Sequence, residues 1–549
     1  MSGLTLLQLK VSVDETWVDY LIIVIYFIFV LGIGAMLRTR MRTSEDYFLS
    51  GRSLPSWVTG LAFLGANLGA LEILGMGAGA AQYGLMQAHF YWIGAIPAMV
   101  FVALFMIPFY YGSRVHSVPG YLKLRYNEAT RGFNAILFAI FMILLSGINM
   151  YAMAIVFQLL LGWSLTASII LSAVITMGYI VLGGLSSSIY NEVLQFFLIT
   201  LGLVPLVIFA LIDVGGWAGL QEAVNREEFF HVWADTGSTE NPMAVRWFGI
   251  VLGLGFVLSF GYWCTDFLVV QRALAAEDMA ASQRTPLIAA FPKLLYGVLA
   301  IFPGLIVLTI VPNLGQGGGE ANSYNMAIPY VMANYFPTGM LGVGLTALLA
   351  AFMSGMAGNV TAFNTVWTYD IYRSYIRPDA PDHHYVTMGR IATVVGVLLS
   401  VGTAYIVLGF ASIMDYVQLL HGLFLAPLFG TFLLGMFWRR TTPWGGFAGL
   451  VSGTGAGLVL YGMELWGVIT YGAPMAGNFW RAWWAWVVCF LITIAVSLMT
   501  RPKEDRELEG LVYGLTEKKE GEEHAWYKRP WILAAAVLLI TLALNIIFF

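Results

Sequence analysis

Along the 549 residues, apolar positions come in long unbroken blocks, and charged positions gather between the blocks. Strict alternation would indicate half-buried strands, and a stripe repeating every 3.6 residues would indicate a surface helix. Neither describes these blocks. Runs of about 20 apolar residues are what a helix needs to cross the hydrocarbon core of a bilayer. The pattern predicts fourteen spanning helices, at 17–37, 55–80, 86–112, 133–160, 163–183, 189–213, 245–270, 287–312, 337–368, 387–408, 413–437, 444–466, 480–499 and 530–549. The expected fold class is therefore all-α, a polytopic membrane protein.

Composition agrees, and charge adds an orientation. The chain is 59% hydrophobic and 11% charged, whereas globular proteins carry about 25% charged residues. With the amino terminus outside, Arg38, Arg40, Arg42 and Arg52 fall in the first cytoplasmic loop. Arg114, Lys123, Arg125, Arg131, Arg272, Arg284, Arg373, Arg377, Arg390, Arg439 and Arg440 also fall inside, as does the run from Arg501 through Lys503, Arg506, Lys518, Lys519 and Lys528 to Arg529. That makes 22 of the 27 basic residues cytoplasmic. Only Lys10, Arg226, Arg246 and Arg481 lie outside, and Lys293 lies within a span. By the positive-inside rule both termini are expected to be extracellular or periplasmic, in a multi-pass protein of the cell's inner (plasma) membrane. The first span is read as a retained helix, because no basic segment precedes it and arginines follow it. Cys264 and Cys489 both sit in apolar spans and are not expected to pair.

Three connections are longer than the rest. Residues 214–244, with Trp217, Glu222, Glu227, Glu228 and Asp235, read as a mildly acidic outer loop. Residues 313–336 hold Gly317-Gly318-Gly319 and no Lys or Arg, which predicts a flexible outer loop. Residues 500–529 hold many Glu and Lys and read as a solvated cytoplasmic linker.

Lys293 is the first chemical signal. An ammonium in hydrocarbon costs about 2.5–3.5 kcal/mol on insertion scales, so a chain that keeps one gives it a partner or a function. Glu72, inside the glycine-rich segment 60–81, is the other deep charge. Segment 55–80 contains Gly60, Gly65, Gly69, Gly75, Gly77 and Gly79; segment 245–270 contains Gly249, Gly253, Gly255 and Gly261 and leads into Tyr262-Trp263-Cys264-Thr265-Asp266. Four spans separate the two segments, so each opens a block of five spans in opposite orientation. Interrupted helices at matching places in inverted halves point to a transporter binding site. The alternative is that the glycines only let helices pack closely, as Gly65-x-x-x-Gly69 would. Asn67, Glu72, Ser259 and Asp266 in the same segments favour breaks, expected at 65–69 and 255–262. The organisation expected is an extra helix and first cytoplasmic loop at 1–54, a five-helix repeat at 55–213, the outer loop 214–244, a second repeat at 245–440, and three accessory helices at 441–549 with the linker 500–529.

Five stretches resemble the sodium:solute symporter family, especially its sodium/glucose cotransporter branch. They are Gly65-Ala66-Asn67-Leu68-Gly69; Gly183-Gly184-Leu185-Ser186 leading to Tyr190-Asn191-Glu192-Val193-Leu194-Gln195; Tyr262 to Asp266 with Gln271-Arg272-Ala273-Leu274; Met353-Ser354 followed by Asp370-Ile371-Tyr372; and Asp415-Tyr416-Val417-Gln418. The resemblance implies a LeuT-type inverted five-plus-five bundle, with one helix before it and three after. It implies a sodium ion held by the carbonyls of Gly65, Leu68 and Ala351 and the hydroxyl of Ser354. The family usually adds a hydroxyl at the next position, here Gly355; water or a neighbouring hydroxyl such as Thr361 would have to replace it. Ala357 and Gly358 stand where a second sodium site would need serines, so at most one ion per cycle is expected. Glu192 is placed on the ion exit path, with a solvated loop acid as the alternative. For substrate binding the resemblance implies Asn67, Glu72, Ser259, Lys293 and Gln418, with Tyr262 as a gating aromatic and Trp263 beside it. Relatives carry a glutamate early in the second core helix. This chain has Gln87, Ala88, His89, Phe90, Tyr91 and Trp92 there, which makes His89 a candidate ligand, although a lone membrane histidine is more often a satisfied packing residue; His421 is read with the same caution.

The expected function is sodium-coupled symport of a small neutral solute, a sugar or related polyol, by alternating access. Several inward donors and acceptors beside an aromatic face suit such a solute. The alternative is a proton-coupled or uncoupled carrier of another small solute, such as a carboxylate, an amino acid or a vitamin-like compound. A receptor that senses solute without moving it lacks an attached output domain. No H-E-x-x-H, G-x-S-x-G or Walker-type loop is present, so no enzyme is expected. Nor does any basic patch point to nucleic acid; the expected partners are the solute, sodium and membrane lipid.

Overall fold

Helices carry the whole architecture of this computed structural model, which describes residues 17–38, 48, 50–113, 115, 117–316, 323–337, 339–410, 412–515 and 526–549. The expected flexible loop at Gly317-Gly318-Gly319 and the centre of the expected linker lie outside the described residues. So do Lys10, Arg40, Arg42, Arg114, Lys518 and Lys519. Among the described residues the one strand-like pairing is a single bridge between Leu54 and Ala276.

Among the described residues, eleven helices are long and apolar enough to cross a membrane, and a bent pair, Ser56–Asn67 with Ala70–Ala88, makes a twelfth, its halves 57° apart. Two shorter apolar stretches, Trp17–Ile33 and Leu165–Gly178, fall on the two remaining expected spans. The backbone from Leu165 to Asp213 is helical throughout, so the spans expected at 163–183 and 189–213 join without an irregular loop. Cys264 and Cys489 are both buried and unpaired, as expected.

Burial separates centre from rim. The most apolar stretches of the helices in Met340–Ile376 and Ile413–Phe437 are 89% buried inside the protein, against 17% for Pro530–Ile547. A helix that is apolar all round and buried all round belongs to the core, and one buried on a narrow face belongs to the lipid boundary. The helix Met279–Ile310, which carries Lys293, packs along both halves of the bent pair. Gly304 lies against the carbonyl of Gly77, and a Cβ on Gly60 would stand 2.9 Å from Ile288 Cγ2. Here close packing is the work of the glycines.

The first expected break is present. The helix Ser56–Asn67 ends at Leu68, whose ψ of 46° leaves the helical region, and Gly69 is extended before the second half begins at Ala70. The second expected break, at 255–262, is not. Residues Trp247–Thr265 run as one helix, wound as π-helix from Ile250 to Ser259, and the chain breaks only at Asp266, where ψ is 117°. The cause is local chemistry. Asp266 accepts a hydrogen bond from Leu268 N at 2.8 Å and so caps the next helix, Phe267–Leu274. The glycines upstream serve packing instead: a Cβ on Gly253 would meet Phe479 O at 2.7 Å, and one on Gly255 would meet Ile93 Cγ2 at 2.8 Å.

Candidate functional site

The break at Leu68 and Gly69 presents one helix end on each side. Asn67 closes the first half. Glu72 lies in the first turn of the second half, where a carboxylate faces the positive end of the helix dipole. Lys293 reaches both: its Nζ donates to Glu72 Oε1 at 2.6 Å and to Asn67 Oδ1. The lysine side chain is 2% exposed and that of Glu72 14%, so two opposite charges cancel away from solvent. Nζ also lies 4.7 Å from the centre of the Tyr91 ring and 5.3 Å from that of Trp263, both within cation–π range. Asn67 Nδ2 donates to Tyr262 Oη at 3.0 Å. Asn67, Glu72, Tyr91, Ser259, Tyr262, Trp263, Lys293, Gln418 and His421 line one cavity of about 80 Å³. One water needs about 10–15 Å³ of such space, so this polar chamber has room for several. Gln418 Nε2 has its one hydrogen bond on Met414 Sδ, at 3.3 Å; a thioether is a weak acceptor, and this amide is easily drawn to a better partner.

A second constellation lies directly behind the break. Ser354, on the fully buried face of Met340–Val366, donates its hydroxyl to Gly65 O at 2.7 Å. Gly65 O also receives Leu68 N at 3.0 Å. Leu68 O, in contrast, accepts no hydrogen bond among the described residues, although Leu68 is 1% exposed. Ala351 O lies 3.8 Å from the point a Cβ on Gly69 would occupy. Gly65 O and the Ser354 hydroxyl thus meet, with Ala351 O close to Gly69, at the end of a helix that carries a partial negative charge. Oxygen ligands of this kind suit a hard cation.

The sodium:solute symporter family model matches residues 47–453. The chain belongs to that family. It is 30% identical to the sodium/glucose cotransporter of Vibrio parahaemolyticus, across 82% of this chain and 86% of that protein. It is 29% identical to sodium/glucose cotransporter 2 of Rattus norvegicus, over 95% of this chain and 84% of the relative. With sodium/myo-inositol cotransporter 2 of Mus musculus the identity is also 29%, over 80% and 69%. Among solved structures, a sodium-coupled sialic acid symporter in a substrate-bound, outward-open state superposes with a TM-score of 0.75 at 19% identity, over 89% of this chain and 99% of that one. The fold is that of LeuT-type transporters, and the protein is a transporter, not an enzyme.

Within this family member most of the expected residues meet at the two constellations, and three do not behave as expected. His89 is fully buried but absent from the cavity wall. Its Nε2 bonds Val232 O at 2.5 Å and its ring lies 4.3 Å from that of Trp233, so it anchors the loop after residue 226. Thr361 does not replace the hydroxyl missing at Gly355. Six residues along a helix is about 9 Å, and its hydroxyl donates to Ala357 O at 2.6 Å in its own helix. Glu192 is neither a solvated loop acid nor open to an exit path in this conformation. It is fully buried, accepts from Ser188 Oγ at 2.7 Å and from Arg272 Nε at 3.1 Å, and forms a second contact with Arg272 through Oε1. Its backbone presses on the break, since a Cβ on Gly65 would stand 2.8 Å from Glu192 O. Three polar wall residues, Tyr91, Asn149 and Asn359, were not anticipated as such. Tyr91 was noted only for lacking a carboxylate. Asn149 was overlooked, though a lone amide in the apolar run of the helix Glu128–Leu161 is a visible signal.

Proposed function

We propose that this protein imports a small neutral polyhydroxylated solute, a sugar or related polyol, together with sodium. The observation that carries this reading is the buried triad of Asn67, Glu72 and Lys293 beside the rings of Tyr91, Tyr262 and Trp263. Paired charges leave the chamber near neutrality, so it offers donors and acceptors without attracting a strong anion or cation. Ring faces cover the C–H surface of such a solute. Relatives named as glucose and myo-inositol cotransporters support the same class.

Binding exchanges internal hydrogen bonds for bonds to the solute. Solute hydroxyls compete for Lys293 Nζ, Asn67 and Glu72, and Gln418 and Ser259 add further groups. His89 is excluded from this set by its place under the loop. Sodium sits at Gly65, Leu68, Ala351 and Ser354, behind the same break. The two five-helix repeats, 55–213 and 245–440, then rock about the site, and the Glu192–Arg272 pair closes the path on the arginine-rich side. That side is cytoplasmic, with both termini outside the plasma membrane.

The test is uptake into proteoliposomes under an inward sodium gradient, with labelled glucose, galactose and myo-inositol as solutes. Sodium accelerates uptake of at least one of them, and Ser354→Ala raises the sodium concentration that half-saturates the rate. Uptake indifferent to sodium, or driven instead by an inward proton gradient, overturns the reading.

A further inference from the structure

Asn149 holds an oxygen that no described residue satisfies. The side chain is 3% exposed, and its Oδ1 has no hydrogen-bond partner among the described residues. The amide is oriented by its other end, because Nδ2 donates to Leu145 O at 3.3 Å; flipping it would set two acceptors face to face. Oδ1 is aimed at the crossing of the broken helix with the Ser354 helix. It lies 2.9 Å from where a Cβ on Gly69 would stand and 2.8 Å from where one on Gly355 would stand. Gly69 follows Leu68, whose carbonyl is unspent, and Gly355 follows Ser354. A buried acceptor without a donor costs about 1–3 kcal/mol, and such groups call for an explanation. Asn149 Oδ1 thus stands where Gly69 and Gly355 leave room for it, one residue beyond Leu68 and Ser354 respectively, with no hydrogen-bond donor paired to it among the described residues.

We propose that the side-chain carbonyl of Asn149 is a ligand of the transported sodium ion and takes the place of the hydroxyl missing at Gly355. The proposal rests on the sodium-coupled reading above. An amide oxygen is a hard, neutral ligand of the kind that cations of this class accept. It joins the helix Glu128–Leu161 to a site otherwise built from the broken helix and the Ser354 helix. The geometry also makes positions 149 and 355 exclusive. A side chain at 355 would put its Cβ 2.8 Å from Asn149 Oδ1, so a hydroxyl there and the amide cannot coexist as placed. With the amide removed, the nearest neighbour to a Cβ at 355 is Gly69 Cα at 3.0 Å, a contact that a small shift relieves.

The experiment is a sodium titration of the thermal unfolding of the full-length protein in detergent, at constant ionic strength with choline. A ligand that binds the folded state raises apparent stability by mass action. Losing even an outer partner of a bound metal typically weakens binding about 10–100-fold, so Asn149→Ala moves the sodium curve up at least ~10-fold. Asn149→Asp keeps the oxygen, adds charge and tightens sodium binding; it decides the matter if the alanine variant does not fold. The double variant Asn149→Ala/Gly355→Ser recovers sodium affinity, a rescue that a packing role for Asn149 does not produce. The proposal is overturned if Asn149→Ala keeps the wild-type curve while Ser354→Ala does not. It is also overturned if Asn149→Ala weakens only stabilisation by the solute at saturating sodium, which would make Asn149 a solute contact. If the wild type shows no sodium-dependent stabilisation, the sodium reading itself falls and this proposal with it.

Discussion

Removing charges from Glu72 and Lys293 one at a time should cost far more than removing both. Glu72→Gln keeps an oxygen for Nζ but deletes the counter-charge of an ammonium whose side chain is 2% exposed. Breaking a buried pair from one side typically costs about 3–5 kcal/mol. The lower end, ~3 kcal/mol, is expected here, because the Asn67 contact and the two ring contacts remain. Lys293→Met fills similar volume and leaves a carboxylate that is 14% exposed on the cavity wall, so its cost is about 1–3 kcal/mol. The double variant has no stranded charge, and replacing a buried ion pair by matched neutral groups is often close to neutral. With a near-neutral double variant, single costs of ~3 and about 1–3 kcal/mol give a coupling energy of about 4–6 kcal/mol, where independent sites add within about 0.5 kcal/mol. Denaturant unfolding of the four proteins in mixed micelles measures it. Single-variant costs that sum to that of the double variant would refute the claim that these charges exist for each other.

Two further outcomes follow from placements made above. His89→Ala removes the bond to Val232 O and the tilted ring contact with Trp233, so it should lower stability by about 1–3 kcal/mol and leave solute affinity within twofold of wild type in an equilibrium binding assay. Arg272→Met strands the fully buried Glu192, so hydrogen exchange at residues 65–69 should quicken by two orders of magnitude or more for a cost of ~3 kcal/mol, and adding Glu192→Gln should slow it again.

What the sequence made legible was whatever the bilayer makes expensive. A lysine and a glutamate in apolar spans had to find each other, because neither survives alone in hydrocarbon. The break at Leu68 was legible because Asn67 and Glu72 flank it, and polar groups of this kind have no place on a bare packing face. The second break was misplaced for a related reason. Glycines 253, 255 and 261 look like interruptions, yet their close neighbours are Phe479, Ile93 and Leu425, all distant in sequence. The true signal was Asp266, a short acceptor able to cap the helix that follows. His89 failed for the opposite reason: its partner, Val232, is 143 residues away in an outer loop, and no local pattern announces that bond.

The geometry of the break explains why ion and solute would depend on one another. Between Gly65 and Glu72 the backbone supplies the Gly65 carbonyl that receives Ser354, the unspent Leu68 carbonyl, the Asn67 amide on Lys293 and Tyr262, and the Glu72 carboxylate on Lys293. The oxygens proposed for the cation and the groups proposed for the solute therefore alternate along eight residues, and among the described residues no helical hydrogen bond runs across Leu68 and Gly69 to hold their spacing. A cation drawing in the Leu68 carbonyl would fix the angle between the halves, and with it the distance from Asn67 to Glu72. A solute bridging Asn67 and Glu72 would fix the same angle from the other side. Coupling of this kind is a shared free energy and is reciprocal by necessity. It requires no relay through the rest of the bundle, because both sites are strained by one hinge. The helix Met279–Ile310 packs along both halves of the break and carries Lys293 next to Pro292, so the residue that binds Asn67 and Glu72 comes from an element in contact with both sides.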